Sequence, residues 1–502
     1  MRRIAWIVLV VFLAACGRED NDVSQAPALE IALSSGTEDA VEIACEAYYA
    51  EGVWGVIKDI YDKEPSASEI RSGGVKAEGN LLVFGGLLPG RPYYVYAVAY
   101  AGDRHSAVHR LQVVAEPSEP KIYPWELSRG GVPTFADLTI VAGGSRHKNP
   151  FLWDEARFQP HVSFVDGGKE RWLFEAFLCC EGIESSRNMT FSIGTDKWHT
   201  SADREAWEYI LDYWLGPEGA VSVLDKTVAA TAERIGEPPV KRKVIMFAPD
   251  PIKFKVFTDP SSSTTYWGKI GATTLDFADV NDRIKAYLWY MDLARKMFNK
   301  LNPSHLELAG FYIISEELVA TPDGWNYSNK QWDIILNAAS KHLHELNEGL
   351  FWIPYYNAPG INMWKSLGID VAYMQPNHYW DDAGAKPLDS SCSTISRLDM
   401  GMELEFEYSM VEEVMSAPGK TGPDAQGNPT YTIADVPMLR ERFLDYLEWS
   451  KKYDIYGKRP LALYSGSNAL CQLASSKIQA DNDMYLELCR YIYSSPMRNY
   501  DK

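Results

Sequence analysis

Met402-Glu403-Leu404-Glu405-Phe406-Glu407-Tyr408 alternates apolar and acidic residues with a period of two. In a strand this sets Met402, Leu404 and Phe406 on one face and three carboxylates on the other. Ionised groups do not sit unpaired in a dry core, because each costs several kcal/mol there. The acidic face is therefore expected to meet water, a metal, cationic partners or an active-site cleft. The plain alternative is the solvent face of an amphipathic strand. A second acidic strand end, Phe311-Tyr312-Ile313-Ile314-Ser315-Glu316-Glu317, lies about ninety residues earlier. In one parallel barrel the two would supply a pair of carboxylates to one site.

The surrounding chain favours such a barrel. Beyond the proline-marked linker Ala115–Pro120, strand and helix patterns alternate to the end of the sequence. Eight strands are expected, at Leu138–Ala142, Trp172–Leu178, Lys243–Ala248, Ala309–Ser315, Phe351–Tyr356, Val371–Gln375, Met402–Tyr408 and Leu461–Tyr464. Amphipathic helices are expected at Ile284–Asn299, Trp332–Leu346 and Leu439–Tyr453. Eight βα units point to an α/β fold of the (β/α)8, TIM-like kind. A doubly wound sheet is the alternative, but no glycine-rich phosphate loop follows the first strand.

Active sites of such barrels lie at the C-terminal strand ends. These ends are polar and aromatic here: Asp250 after the third, Glu316 and Glu317 after the fourth, and Tyr355, Tyr356 and Asn357 after the fifth. Gln375, Asn377 and His378 follow the sixth, the acidic ladder is the seventh, and Tyr464 to Asn468 close the eighth. Glu175 falls within the second expected strand. A barrel exterior must be apolar against its helices, so Met402, Leu404 and Phe406 face out and the ladder's acids face in. Two carboxylates across a glycosidic bond would give a general acid and a nucleophile or water activator.

Acids after strands four and seven resemble the large retaining glycosidase clan built on this barrel. The resemblance implies Glu316 as acid/base and Glu405 as nucleophile, with Glu317 and Glu407 as register alternatives and Glu403 deeper. That clan carries Asn directly before the strand-four acid, whereas Ser315 stands here. Tyr356 (or its neighbour Tyr355), Gln375, Asn377, His378, Glu407 and Tyr464 are candidate substrate-binding residues. For His378 a structural role at the strand end is the alternative, and for Asp250 a turn. Arg146 could bind a ligand or close a loop salt bridge. No Gly-x-Ser-x-Gly elbow, His-Glu-x-x-His helix or calcium loop appears, so serine-hydrolase and zinc-protease chemistry drop out. No metal and no cofactor is expected.

Gly310-Phe311-Tyr312 with Glu316, Ile353-Pro354-Tyr355-Tyr356-Asn357-Ala358-Pro359-Gly360, Tyr373-Met374-Gln375-Pro376-Asn377-His378-Tyr379 and the acidic strand together resemble the domain of unknown function 4855 family. The resemblance spans roughly residues 120–500 and implies a barrel in a carbohydrate context. Ahead of it, Leu87-Leu88-Pro89-Gly90-Arg91-Pro92-Tyr93-Tyr94-Val95 resembles the fibronectin type III pattern, with Tyr93 as its corner tyrosine. A small all-β, Ig/fibronectin III-like sandwich is thus expected over residues 29–118 and the barrel over 119–502.

The first residues resemble a bacterial lipoprotein leader. Met1-Arg2-Arg3 is basic, Ile4–Leu13 is apolar but too short to span a bilayer, and Leu13-Ala14-Ala15-Cys16 resembles a lipobox. The resemblance implies a signal peptide over 1–15, a lipid on Cys16 and an acidic tether over 16–28. The acidic run Glu19 to Asp22 resembles the surface-export signal of Bacteroidetes lipoproteins, which implies the outer membrane and its outer face. An ordinary secretory peptide and a merely solvated tether are the alternatives.

The net charge of −19 argues against nucleic-acid partners. Aromatic residues make up 13% of the chain, and such platforms suit sugar rings, although core packing accounts for most. Six cysteines beyond Cys16 fit no zinc spacing. The composite expectation is a surface lipoprotein glycoside hydrolase acting on a poly- or oligosaccharide. A non-catalytic glycan-binding lipoprotein is the alternative, as is a docking subunit with partners in a glycan-uptake complex.

Overall fold

The computed structural model describes residues 26–37, 40–59, 62–87, 92–114, 135–143, 152–192, 199–318, 331–380, 388–424, 427–466 and 468–498. Cys16, most of the tether, the linker prolines and Arg146 lie outside these residues. The chain divides into two compact units, with the main division between residues 116 and 117.

The first unit is a β-sandwich. Ala28–Gly36, Ala40–Tyr48 and Leu81–Gly85 pair antiparallel in one sheet. Gly52–Asp59, Pro92–Ala101 and His109–Val114 form the spine of the other. Alternation aims Leu29, Val41, Ile43, Leu82 and Phe84 of the first sheet at Val53, Val95, Ala97 and Val113 of the second. Tyr93 is half-buried against this core, while the Pro89-Gly90 turn lies outside the described residues.

The second unit is a closed barrel of eight parallel strands. In chain order they are Asp137–Ala142, Ala176–Cys180, Arg242–Ala248, Leu306–Ile313, Gly349–Trp352, Val371–Met374, Gly401–Glu405 and Leu461–Tyr464, and the eighth pairs with the first. All eight overlap the expected strands, although several stop short of their expected C-terminal ends. There the chain leaves the barrel rim into the loops that carry the polar residues. Helices Val280–Leu301, Trp332–His344 and Val436–Lys452 lie where amphipathic periodicity placed them. The seventh strand shows the sorting that closure requires: Met402, Leu404 and Phe406 are fully buried, and Phe406 meets Phe443 of helix Val436–Lys452 edge-on, ring centroids 5.1 Å apart.

One expectation needs correction. Glu175 lies ahead of the second strand, at the N-terminal end of the barrel rather than among the C-terminal strand ends. The true second strand is shifted toward the C-terminus because Trp172 ends the preceding hairpin with Ser163–Asp166. Glu175 Oε2 accepts from the Ala136 N–H at 2.6 Å, and its own N–H donates to Asp137 Oδ1 at 3.0 Å. Arg498 donates to both Asp137 oxygens, at 2.7 and 2.8 Å, and lies 3.7 Å from Glu175. These three buried charges tie the C-terminal segment to the barrel floor.

The fourth strand carries a one-residue bulge. Val244 pairs with Leu308 but Ile245 pairs with Gly310, leaving Ala309 extra. Such an insertion swaps which side chains face the barrel interior. Gly310 sits at φ +148°, and a Cβ there would lie 1.9 Å from the Gly349 carbonyl oxygen. Only glycine lets the fourth and fifth strands close at this point, which sets the direction in which the chain reaches Glu316.

Candidate active site at the C-terminal barrel mouth

Glu403 and Glu405 point inward from the seventh strand, only 2% and 1% exposed. Two residues along a strand separate their Cα atoms by roughly 7 Å. Burial pushes the Glu403 carboxyl well above the usual range, and the charges of Glu405 and Glu316 push it further. Burial likewise raises Glu405, to about 8, opposed by hydrogen bonds from Tyr446 and Asn377 and assisted by Glu316. The rule against ionised groups in a dry core therefore holds by a different route. The buried pair keeps protons that exposed acids lose.

Glu316 stands at the exposed rim after the fourth strand. Its charge acts on Glu403, Glu405, Tyr312 and Tyr355, which brings the strand-four and strand-seven acids into one electrostatic site. Gln375 Nε2 donates to Glu316 Oε1 at 3.3 Å and to the Ile353 carbonyl at 3.2 Å. Glu317 turns elsewhere, accepting from the Tyr355 hydroxyl at 2.5 Å. The fully buried Trp352 indole N–H donates to Ser315 O at 2.8 Å, fixing the backbone directly before Glu316.

Glu405 Oε2 accepts two donors, the Asn377 N–H and the Tyr446 hydroxyl, each at 2.7 Å. Among the described residues Oε1 accepts none. Asn377 has a left-handed backbone, φ +56°, and it is its main chain that reaches the acid. His378 sits behind this contact: its Nε2 lies 2.9 Å from Asp445 Oδ2 and its ring meets Tyr446 edge-on at 5.7 Å.

Glu407 lies past the end of the seventh strand. It accepts from the Tyr464 hydroxyl at 2.8 Å and abuts Gly466, where a Cβ would lie 2.3 Å from its Oε2. Tyr464 faces Trp380, centroids 6.0 Å apart, and Tyr356 is half-exposed against the barrel core. Asp250 is buried after the third strand, and its charge acts on Tyr312, Tyr266 and Tyr287.

The sequence reading missed Tyr446. It lies in the middle of helix Val436–Lys452, where an aromatic at helical spacing reads as core. The missed signal was only that a fully buried tyrosine needs a partner for its hydroxyl.

Residues 137–419 match the family described as Domain of unknown function (DUF4855), a span that takes in seven of the eight strands and both acids. The chain belongs to the DUF4855 family. No curated protein matches this DUF4855 chain. Among solved structures it is similar to the human collagen alpha-1(XX) fn3 domain, with 18% identity, 19% of this chain and 89% of that chain covered, and a TM-score of 0.16. A two-domain fibronectin type III segment of chicken tenascin shows 17% identity, covering 17% of this chain and 47% of that chain, with a TM-score of 0.15.

The mouth of this DUF4855 barrel contains no group of three or more His, Cys, Asp or Glu side chains, among the described residues, spaced to hold a metal ion. Among the described residues, the groups that shift Glu403 and Glu405 are acids, the Tyr446 hydroxyl and the Asn377 main chain, with no Lys, Arg or His. What the arrangement can do is retain a proton near neutral pH beside a rim carboxyl. That is the outfit of acid–base chemistry.

Proposed function

We propose that this protein is a glycoside hydrolase acting on a poly- or oligosaccharide by a two-carboxylate, retaining mechanism. The observation that carries the proposal is the electrostatic coupling of Glu316 to Glu405 across the barrel mouth, with one Glu405 oxygen held by two donors. Glu405 Oε1 attacks the anomeric carbon while Glu316 gives its proton to the leaving oxygen. Water then attacks the same carbon, Glu316 takes the proton, and the bond to Glu405 breaks. The step needs one proton on the pair, located on Glu316. Burial favours the proton on Glu405, and the donors from Tyr446 and Asn377 favour its transfer by stabilising the ionised form.

Gln375 orients Glu316, and Tyr356, Glu407 and Tyr464 would line the path of the sugar. Asn377 and His378 serve Glu405 rather than the substrate in this scheme. A lipid on Cys16 would hold the protein on the bacterial outer membrane, facing polysaccharide outside the cell. Loss of palmitate labelling in Cys16→Ser is the expected check.

A glycan-binding protein without catalysis is the second reading. The near-complete burial of Glu405 favours it, since a nucleophile must be reached by an anomeric carbon. A glycan panel assayed for both binding and hydrolysis, with Glu316→Gln and Glu405→Gln beside the parent, separates the two. Hydrolysis lost by a factor of about 10²–10⁴ in each folded variant supports the enzyme. Binding with no hydrolysis, unaltered by either change, leaves a capture protein.

A further inference from the structure

We propose that Tyr446 is a positioning residue for Glu405, and that helix Val436–Lys452 works as a clamp fixing which carboxyl oxygen faces the mouth. The inference rests on the hydrolase reading for its purpose but not for its geometry. Three side chains on one stretch of this helix grip the segment after the sixth strand. Arg442 Nη1 donates to the Tyr379 carbonyl at 2.9 Å. Asp445 holds the His378 ring at 2.9 Å. The Tyr446 hydroxyl accepts from the Tyr379 N–H at 3.0 Å.

That hydroxyl accepts through its lone pair from Tyr379, so its single proton is free for Glu405, 2.7 Å away. The grip spans both sides of the Tyr379 peptide and the His378 ring. It holds the chain just after Asn377, whose φ of +56° lies in the left-handed region that asparagine adopts more readily than most residues. The consequence of that backbone is an N–H aimed at the same Glu405 oxygen that Tyr446 holds. Two donors on Oε2 leave Oε1 to meet a reactant. A carboxyl free to rotate would offer either oxygen and lose the orientation that catalysis requires.

Among the described residues, the charged and titratable groups that act on Glu405 come from three elements. Glu403 lies on its own strand, Glu316 comes from the fourth, and Tyr446 comes from the helix. His378 and Asp445 stand behind Tyr446. Removing the Tyr446 proton donor should therefore register directly in the ionisation of Glu405.

The test is a carbon-13 titration of glutamate side chains in the full-length chain, with Glu405→Gln identifying the resonance. The Glu405 midpoint is expected to rise by about one pH unit in Tyr446→Phe, the value of a hydrogen bond to a charged group. An unchanged midpoint in a folded variant overturns the proposal, because a tyrosine that only fills space would lower the melting temperature and leave the midpoint alone. Should Tyr446→Phe not fold, the parent protein still decides. The Tyr446 ring carbon bearing the hydroxyl must titrate with the Glu405 midpoint, and absence of that shared step sinks the assignment. Neither readout needs hydrolysis. Failure of the glycan assay would therefore strike the hydrolase reading alone, and failure of the titration the clamp alone.

Discussion

The Tyr446 hydroxyl lies 2.7 Å from Glu405 Oε2, joining a helix on the outside of the barrel to an acid in its interior. The contact lowers the Glu405 carboxyl, against burial and the Glu316 charge that raise it, and the balance falls at about 8. A carboxyl poised there changes charge in the range where most exposed acids stay ionised and most lysines stay protonated.

If the Glu316–Glu405 pair works with one proton, activity must end where that proton is lost. The basic limb of kcat/KM against pH is expected at about 8, whichever carboxyl carries the proton, because the step belongs to the pair. A rate constant still rising at pH 9 would contradict the one-proton scheme.

Glu403 has a sharper consequence for stability. Its folded carboxyl is raised well above its ordinary value, so the folded chain binds more protons than the unfolded one. The resulting stabilisation is complete below the unfolded carboxylate range and is lost as pH rises through the folded value. Glu403→Gln cannot ionise and should escape that loss. Melting curves at pH 5 and pH 8.5 are expected to show similar parent and variant temperatures at the lower pH. At the higher pH the variant should be several degrees more stable. A variant equally destabilised at both would show that Glu403 is needed for packing.

Arg498 tests the barrel floor. It is 1% exposed and binds Asp137 through two nitrogens with Glu175 alongside. Arg498→Met leaves two buried carboxyls without their cation, an expected loss of about 3–5 kcal/mol by urea unfolding. Because the floor is at the opposite end of the strands from Glu405, the Glu405 midpoint should not move in any folded fraction.

Gly310→Ala should be among the most damaging single changes in the barrel. The added methyl would meet the Gly349 carbonyl oxygen at 1.9 Å in a backbone conformation that alanine rarely adopts. A loss of at least about 3 kcal/mol, or failure to accumulate as folded protein, is expected. Circular dichroism and yield from the soluble fraction measure it. Near-parent stability would mean that the fourth and fifth strands can separate without penalty.

The residue order by itself settled a good deal. Period-two alternation at 402–406 specified a strand with apolar and acidic faces, and eight strand patterns interleaved with helical ones specified an α/β barrel. Barrel closure then assigned the faces, since Met402, Leu404 and Phe406 could only meet helices. Those are local signals of periodicity, which a chain carries in its order.

Tertiary structure alone decided what the acids are. Glu403 and Glu405 read as a face for water, a metal, a cationic partner or a cleft, and closure buries them so that their proton affinity rises. The Tyr355 hydroxyl engages Glu317 across 38 residues of chain. Tyr446 lies 41 residues from Glu405, and the Asn377 amide carries no side-chain signature at all. Burial, hydrogen bonds between distant elements and the aim of a main-chain N–H are properties of the closed barrel. No window of sequence contains them, because each exists only once the strands have met.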